Sequence, residues 1–383
     1  MLISAFFIFV LIIFFGIHLG YPLLLRTISR KATKLMLNKN PEKSYFPSEL
    51  PYVSIIIPVY NEQAVIRQRI NNIFESDYPK NKLELIVVDS GSDDETRLII
   101  ESQFLNSVIL VTEQERHGKA HAINLGLQKC KGEFIILTDG TTRYDRDTIK
   151  QLVYSFADAT VGAVSATYNV PNKEESHVSE SEHEFWSFKD EIRILESSTH
   201  STSWLSGEAC AFRSKIIEKV NEDTLADDSN IALQVISKGY RVIVNQNAQF
   251  TERSPTQFFD YFRIKSRRAL GGLIETIRFK SFLFNQDYRY FGTVIFPYRF
   301  FVCLLSPILS CILIGLAVPT IIEVVSIIGF YYTLFIGIVL ILILFIFKRI
   351  AMTYFYTQLI TIIAVIWLLG GKKDVLWTRS KSR

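Results

Sequence analysis

Cysteine is scarce in this chain, and the few cysteines present are not spaced as metal or redox ligands. None of them forms a C-x-x-C pair, which is the spacing typical of zinc and thiol–disulfide sites. The four are Cys130, Cys210, Cys303 and Cys311, and the last two lie in an apolar run. We therefore expect no disulfide framework and no zinc.

A large excess of charge is also missing. The 383 residues carry a net charge of only +4, so the total does not indicate a nucleic-acid partner. Internal repeats and low-complexity segments are absent as well. The hydrophobic content of 49% is unevenly placed, and the length allows both a soluble domain and a membrane part.

Formal charge is absent from Leu2 to Leu25, and this is the first strong signal. These 24 residues at about 1.5 Å each exceed a bilayer core of about 30 Å. A cleaved signal peptide would have a basic start and a shorter apolar core. Residues 1–26 are therefore predicted to form a transmembrane helix.

Three more charge-free runs, residues 300–322, 324–347 and 350–371, predict a membrane region over residues 291–371 with two or three spans. Basic residues cluster in the predicted linker, residues 27–50, and just before it. They are Arg26, Arg30, Lys31, Lys34, Lys39 and Lys43. By the positive-inside rule they place the N-terminus outside and the large polar segment in the cytoplasm. We expect an integral protein of the cell membrane.

The basic tail, residues 372–383, also indicates the cytoplasmic side, yet three further full spans would put it outside. One of these signals must be wrong. The last run is the weakest span because it contains polar residues such as Thr353, Tyr354 and Gln358. We expect it to be re-entrant or packed against protein.

The polar segment, residues 51–253, reads as an α/β domain. Apolar runs beginning at Val53, Leu85, Val108 and Phe134 alternate with helical segments, which is typical of a mostly parallel sheet. The fourth run ends in Asp139-Gly140. Ligands of open α/β sheets bind at such strand ends, although a lone carboxylate there is as often a turn residue.

Two helix starts carry further candidates. Gly118-Lys119 leads into a helix, and a helix N-terminus with a lysine is a ready anion site, although a solvated lysine is an equally common occupant. Asp227 and Asp228 open another helix, where capping is the simpler explanation for either one, but both cannot be the N-cap.

Two aromatic helices follow from the pattern. Residues 180–196 form a charged and aromatic helix whose apolar side is expected to face the core. Residues 254–290 mix aromatic with basic side chains, which is typical of a helix lying in the membrane interface. Its cations, including Arg267 and Arg268, could instead hold a diphosphate.

Taken in order, the motifs resemble a membrane-bound family 2 glycosyltransferase with a GT-A domain, similar to poly-N-acetylglucosamine, hyaluronan and cellulose synthase-like enzymes. The resemblance covers roughly residues 52 to 380. It rests on Pro-Val-Tyr-Asn-Glu at 58–62, Val-Val-Asp-Ser-Gly-Ser-Asp from 87, Gly-Lys-Ala at 118–120, Thr-Asp-Gly-Thr-Thr at 138–142, Ser-Gly-Glu-Ala-Cys-Ala-Phe-Arg from 206 and Asp-Asp at 227–228.

The resemblance implies transfer of a sugar, with inversion, from a nucleotide-diphosphate donor, with uridine as the family default, to a lipid-linked or glycan acceptor. Asp139 would hold the diphosphate through Mg²⁺ or Mn²⁺, and Asp228 would be the general base. Substrate contacts would come from Pro58, Tyr60, Glu62, Asp89, Lys119, Gly207, Asp227, Arg267 and Arg268. Membrane lipids would be further partners, and nucleic acid would not.

This chain departs from the family pattern at two places. The usual Asp-x-Asp is Asp139-Gly140-Thr141, so a hydroxyl replaces one metal-binding carboxylate. The Gln-x-x-Arg-Trp of processive synthases falls on Ile264 to Arg268 and keeps only Arg267. Without the glutamine and tryptophan, transfer of a single sugar becomes as plausible as processive synthesis.

Two other functions stay open. A catalytically silent membrane scaffold that binds nucleotide sugars would explain the thinned metal motif. A nucleotidyltransferase that makes an activated sugar would more usually carry a glycine-rich loop after the first strand, which Pro58 to Glu62 is not. A transporter is disfavoured because the apolar runs lack acids apart from Glu323 at a boundary.

Overall fold

The computed structural model describes residues 2–37, 49–346 and 348–371. Its centre is one mixed sheet of eight strands. Their bounds are β1 Val53–Val59, β2 Leu83–Asp89, β3 Ile109–Thr112, β4 Phe134–Thr138, β5 Arg143–Tyr144, β6 Val161–Asn169, β7 Ala209–Arg213 and β8 Arg241–Thr251.

The strand order is β3-β2-β1-β4-β7-β6-β8-β5. The first four strands of this order run parallel, with Ile56 of β1 opposite Ile86 of β2 and Leu137 of β4. Strand β7 is antiparallel to both β4 and β6, and β5 is antiparallel to β8. The expected parallel half is confirmed, and the second half is mixed.

Helices cover both faces of the sheet. Those of the α/β part are α3 Ile66–Phe74, α4 Thr96–Phe104, α5 Lys119–Leu127, α6 Thr148–Tyr154, α7 His177–Thr199 and α8 Asp227–Ser237. The membrane-proximal part begins with α1 Leu2–Phe15 and α2 Tyr21–Leu37, and it continues after the sheet with α9 Phe258–Arg278, α10 Phe296–Phe300, α11 Ser306–Ile328, α12 Phe330–Ile346 and α13 Lys348–Leu369.

The core forms two layers because β1 alternates its side chains between the faces. Ile55 and Ile57 belong to the layer under α3 and α6, whereas Ile56 belongs to the layer under α5 and α8. All seven residues of β1 are buried. A strand buried on both faces needs a continuous apolar run, and this run is why the sequence predicted β1 correctly.

Three helical stretches are long and apolar enough to cross a membrane among the described residues: Leu2–Arg30, Phe291–Ile328 and Met352–Leu369. Residues 330–340 form a shorter apolar helix. The last run was expected to be the weakest span, but α13 is an unbroken helix, which contradicts a re-entrant turn. It does pack against protein, since its Ala364 is buried beside Leu270 and Leu273 of α9.

The first helix continues beyond its expected end. A π-helical turn, Gly16–Gly20, joins α1 to α2, and α2 reaches Leu37. The first part of the predicted linker, residues 27–37, is therefore helical, and Lys39 and Lys43 lie outside the described residues. The basic tail, residues 372–383, also lies outside them.

Polar contacts connect α2 to the α/β part. The Tyr21 hydroxyl donates to Glu196 Oε1 of α7 at 2.7 Å, and the Tyr21 ring stacks on Tyr298 at 3.4 Å between centroids. Leu25 is fully buried beside Ile192 of α7. The apolar side of α7 thus packs against α2 as well as against the sheet.

Helix α9 is held between the α/β part and α13. A Cβ on its Gly271 would lie 2.9 Å from the Cβ of Ala226, so the two backbones approach closely. Glu275 accepts hydrogen bonds from Thr224 Oγ1 at 2.8 Å and Asn230 Nδ2 at 2.7 Å. The buried side of α9 therefore faces protein, although the sequence suggested a helix lying in the membrane interface.

Gly132 packs closely against the backbone of β1, and a substitution there tests this packing. A Cβ there would lie 2.4 Å from the backbone nitrogen of Ser54. We expect Gly132→Ala to lower the free energy of unfolding by about 1–3 kcal/mol, measured by thermal unfolding in detergent, because backbone must shift to admit the methyl group. Gly315→Ala is the control, since a Cβ there meets nothing within 4 Å. Equal unfolding midpoints in the two variants would contradict this packing.

Candidate functional site

The candidate site lies where β1, β2 and β4 end. Asp89 is the last residue of β2, and Asp139 directly follows β4. Because parallel strands end at the same edge of a sheet, their carboxyl ends come together. The Ser90 backbone N–H donates to Val59 O at 2.9 Å, which joins the ends of β1 and β2.

One end of the site is built from the turns after β1 and β2. Asp89 is buried, and its Oδ1 accepts from Ser92 N at 3.3 Å and Ser92 Oγ at 2.5 Å. Burial raises the pKa of Asp89, and the bonds from Ser92 oppose that rise. The Arg116 guanidinium lies 3.7 Å from the ring centroid of Tyr60.

Pro58 and Glu62 lie at the same end. Pro58 is a buried member of β1 opposite Val88, and Glu62 follows in the turn, where its backbone N–H donates to Thr96 Oγ1 at 2.8 Å. A Cβ on Gly140 would lie 3.4 Å from Glu62 Cγ. The turn after β1 therefore contacts the turn that carries Asp139.

Lys119 is the centre of the other end. It is the first residue of α5, preceded by Gly118 at φ +99°, a backbone conformation that favours glycine. Its Nζ lies 2.7 Å from Asp139 Oδ1 and 3.4 Å from Asp227 Oδ2. Burial alone would lower the pKa of Lys119, but the two carboxylates outweigh it and raise that pKa, so the ammonium stays charged.

Asp227 and Asp228 are the first two residues of α8, and the N-cap residue is Ala226. Asp228 Oδ1 accepts from the N–H of the next residue, Ser229, at 2.6 Å. Burial, together with Asp227 and Glu208, raises the pKa of Asp228 from 3.8 to about 6, while Lys189 lowers it. Neither acid is therefore the N-cap residue, although the Asp228 carboxylate accepts one N–H of the first helical turn.

Gly207 lies against the same charged groups. A Cβ there would lie 3.5 Å from both Lys119 Nζ and the Cβ of Asp228. The next residue, Glu208, accepts from Arg268 Nη2 of α9 at 2.8 Å, and this contact raises the pKa of Arg268 although burial opposes the rise. A glycine at this position keeps space open between the lysine and the acids.

Arg267 also reaches the site. Burial and neighbouring Arg268 lower the pKa of Arg267, and Asp227, Asp139 and Asp228 pull it up. Both arginines thus interact with carboxylates of the site. The eleven predicted residues thus lie along the same edge of the sheet, with carboxylates and cations concentrated around Lys119.

Residues 54–220 match the model of the glycosyl transferase family 2. This chain carries a family 2 glycosyltransferase domain. It is similar to the mannosyltransferase PcManGT of Pyrobaculum calidifontis, solved in complex with GDP-Man and Mn²⁺. The two are 27% identical with a TM-score of 0.75, and the match covers 97% of this chain and 99% of that one. The GT-A type fold expected from the motifs is confirmed.

Two curated proteins are also similar to this chain. The probable glycosyltransferase YdaM of Bacillus subtilis is 26% identical over 65% of this chain and 64% of its own length. Poly-beta-1,6-N-acetyl-D-glucosamine synthase of Staphylococcus aureus is 25% identical over 62% of this chain and 58% of its own length. The matched part thus spans about six-tenths of the length of these relatives.

Several residues of the glycosyltransferase site were not singled out from sequence. Glu208 holds Arg268, Glu252 accepts from the hydroxyl of Thr141, and Lys189 lies 4.3 Å from the ring centroid of Trp204. Glu208 belongs to the motif that begins at Ser206, so the sequence did contain a signal for this residue. Lys189 and Glu252 carried no signal, because their partners are distant in sequence.

The glycosyltransferase site offers ligands for a hard divalent cation. Asp139 and Asp227 present carboxylate oxygens on either side of the Lys119 ammonium, and Asp139 is 25% exposed. Asp227 Oδ2 is buried and makes no hydrogen bond among the described residues. Oxygen donors of this kind fit Mg²⁺ or Mn²⁺.

Removing the ammonium should leave two facing carboxylates uncompensated. We expect Lys119→Met to lower the free energy of unfolding by up to about 3 kcal/mol in the presence of chelator, at the lower end of the range for buried pairs because Lys119 is 22% exposed. Thermal unfolding in detergent measures this. Lys82→Met is the control: Lys82 pairs with Glu49 on the surface, and its loss should cost at most about 1 kcal/mol. Equal losses of unfolding free energy in the two variants would show that the Lys119 ion pairs stabilise the fold no more than a surface pair does.

Proposed function

We propose that this chain is an inverting glycosyltransferase that moves a sugar from a nucleoside-diphosphate donor to a lipid-linked or glycan acceptor at the membrane. One observation carries the proposal. The carboxylate of Asp228, whose pKa is raised to about 6, lies in the cluster where Lys119 holds Asp139 and Asp227. A base and a diphosphate site in one cluster suit glycosyl transfer.

The donor would bind across the two ends of the site. Tyr60 and Asp89 would contact the nucleoside, and Lys119, Arg267 and Arg268 would face the diphosphate, for which cations are natural partners. A Mg²⁺ or Mn²⁺ ion held by Asp139 would neutralise the departing diphosphate. The complex of PcManGT with GDP-Man and Mn²⁺ supports this arrangement. Uridine donors are candidates because uridine is the family default, and guanosine donors are candidates because PcManGT was solved with GDP-Man.

The chemical step needs one proton transfer. Asp228 would accept the proton of an acceptor hydroxyl as that oxygen forms a bond to the anomeric carbon. The bond between that carbon and the diphosphate oxygen breaks at the same time, and the nucleoside diphosphate leaves with its electron pair. Attack from the side opposite the leaving group inverts the anomeric centre. A carboxylate with a pKa near the working pH suits this task.

The acceptor would approach from the side of α9 and α7. Lys189 of α7 lies 4.6 Å and 4.3 Å from the ring centroids of Trp186 and Trp204, and its charge interacts with Asp228. Aromatic side chains beside a base suit a sugar or lipid-linked acceptor. Helix α9 also packs against α13, so this side is adjacent to the candidate membrane helices.

A processive polysaccharide synthase is the second candidate. The similarity to poly-beta-1,6-N-acetyl-D-glucosamine synthase favours it. Residues 264–268, which lack the glutamine and tryptophan of the processive motif, favour single transfer. Arg268, which stands at the position of the motif's tryptophan, forms an ion pair with Glu208. The size of the product separates the two reactions.

We also propose that the catalytic domain lies on the cytoplasmic side of the cell membrane. Arg26 and Arg30 follow the first candidate span, which is the pattern of a cytoplasmic flank. With the N-terminus outside, three crossings by Leu2–Arg30, Phe291–Ile328 and Met352–Leu369 would return the basic tail to the cytoplasm. In this topology α12, which has 17 residues, does not cross the membrane, and the two charge signals agree.

The first experiment measures donor turnover. Purified protein in lipid with Mg²⁺ or Mn²⁺ is screened against GDP-mannose and UDP-sugars for release of nucleoside diphosphate and for radiolabelled product. We expect Asp228→Asn to reduce transfer by about 10²- to 10⁴-fold, because the general base is lost. Asp223→Asn is the control, since Asp223 is 75% exposed and pairs only with Arg278 among the described residues.

Each outcome has a distinct meaning. A single-sugar product supports the main proposal, and a long polymer supports the synthase. Release of inorganic pyrophosphate would indicate a nucleotidyltransferase. If Asp228→Asn matches the parent, or no donor is consumed, the scaffold function replaces the enzyme.

The pH profile tests the base separately. Asp228 must be ionised to accept a proton, so the rate should fall below about pH 6, tenfold per pH unit. At that pH Lys189, whose pKa burial and neighbouring cations lower to about 7, is mostly charged and favours the Asp228 carboxylate. We expect Lys189→Met to move the acid limb to higher pH, and Lys82→Met to leave it unchanged. An unmoved limb in Lys189→Met would contradict the electrostatic link.

A further inference from the structure

A second cluster of ligand-type side chains lies outside the site described above. Glu113 follows β3, and His117 and His121 lie in the turn before α5 and in its first turns. Glu113 Oε1 lies 3.4 Å from His117 Nδ1 and 3.4 Å from His121 Nε2. The three ligand atoms all lie within 4.8 Å of one another.

The carboxylate of Glu113 is the unusual member of this cluster. Its side chain is only 3% exposed. Oε2 accepts a hydrogen bond from the Ser90 hydroxyl, whereas buried Oε1 has no hydrogen-bond donor among the described residues and points between the two imidazoles. A buried carboxylate oxygen without a donor is costly, and a bound cation would remove that cost.

His121 is oriented from its other side. Its Nδ1 lies 3.4 Å from Glu222 Oε2, while its Nε2 faces Glu113. Glu222 is itself fixed by Lys219 at 3.0 Å and by Asn124 Nδ2 at 3.2 Å, and Lys219 lowers its pKa. A carboxylate behind a histidine is the arrangement that orients metal-bound imidazoles in proteins.

We propose that Glu113 Oε1, His117 Nδ1 and His121 Nε2 bind a divalent transition-metal ion of the Zn²⁺ class, with Glu222 positioning His121. Two ligands each about 2.0–2.1 Å from a tetrahedral ion are about 3.4 Å apart, which is the separation of each imidazole nitrogen from Oε1. Two imidazoles and one carboxylate suit Zn²⁺, Co²⁺ or Ni²⁺ and disfavour Mg²⁺ and Ca²⁺.

This ion differs from the one proposed at Asp139, whose ligands are all oxygens. The cysteine spacing predicted no zinc site. The proposed site contains no cysteine, because its ligands are two histidines and one glutamate. The Glu113 N–H donates to Asp89 O at 2.9 Å, and His117 is two residues before Lys119. An ion here would therefore fix the segment between β3 and α5 next to both ends of the donor site.

The test is titration of the purified full chain with Co²⁺ after chelation, followed by visible absorption, which reports imidazole-bound tetrahedral Co²⁺. We expect one such ion per chain in the parent and none in His117→Ala or His121→Ala. Glu222→Gln keeps all three ligands and should weaken Co²⁺ binding about 10- to 100-fold. Asp139→Asn should show the same tetrahedral Co²⁺ band as the parent, because the ion proposed at Asp139 has only oxygen ligands.

His177→Ala is the matched control, because His177 is 96% exposed and faces Glu180 at 3.5 Å, an ordinary surface pair. It should leave the Co²⁺ spectrum unchanged. Thermal unfolding without metal confirms that the variants fold, and the Glu222→Gln result stands even if a ligand variant does not. The proposal is overturned if the parent shows no tetrahedral Co²⁺ band, or if His117→Ala and His121→Ala bind as the parent does.

Discussion

The ammonium of Lys119 between Asp139 and Asp227 is the interaction on which the site depends. It joins three elements that are far apart in sequence: the end of β4, the start of α5 and the start of α8. A buried charge is tolerated only when it is paired, so these elements must come together for the charges to be buried at all. The carboxylates of Asp139 and Asp227 both lie near this one lysine, and oxygen ligands of this kind suit a divalent cation. Arg267 and Arg268 then supply the positive charge that a diphosphate would require.

The positions of Asp227 and Asp228 also depend on the membrane-proximal helices. Helix α9 approaches the residues just before Asp227 so closely that Gly271 has no room for a side chain. Glu275 of α9 fixes Thr224 and Asn230 on either side of the two acids. Buried Arg299 of α10 binds the Ser203 carbonyl at 2.5 Å and so connects the candidate membrane region to the segment before Gly207. The position of Asp228 is thus set from both the sheet and the membrane side.

The sequence predicted those parts of the fold that local pattern controls. The four apolar runs became β1 to β4. In β1, β2 and β4 the reason is that a strand buried on both faces needs continuous β-branched and aliphatic residues, whereas β3 is a partly exposed edge strand. The two aspartates were correctly placed at the start of a helix. The second half of the sheet was not predicted, because the strict alternation of strand and helix ends after β4 and antiparallel pairing leaves no comparable signature. The extension of α2 to Leu37 was missed as well, since its basic residues read equally well as a linker.

The sequence by itself determined the α/β class and the apolar helices, because these follow from composition and short-range periodicity, and its motifs singled out the acids and cations through their resemblance to a known family. Only the tertiary structure decided which charges meet. The pairing of Lys119 with two acids, the raised pKa of Asp228, the hold of Glu208 on Arg268 and the convergence of Glu113 with His117 and His121 all depend on burial and long-range contact. A side chain's charge is written in the sequence, but its free energy depends on the partners and the solvent that the fold places around it.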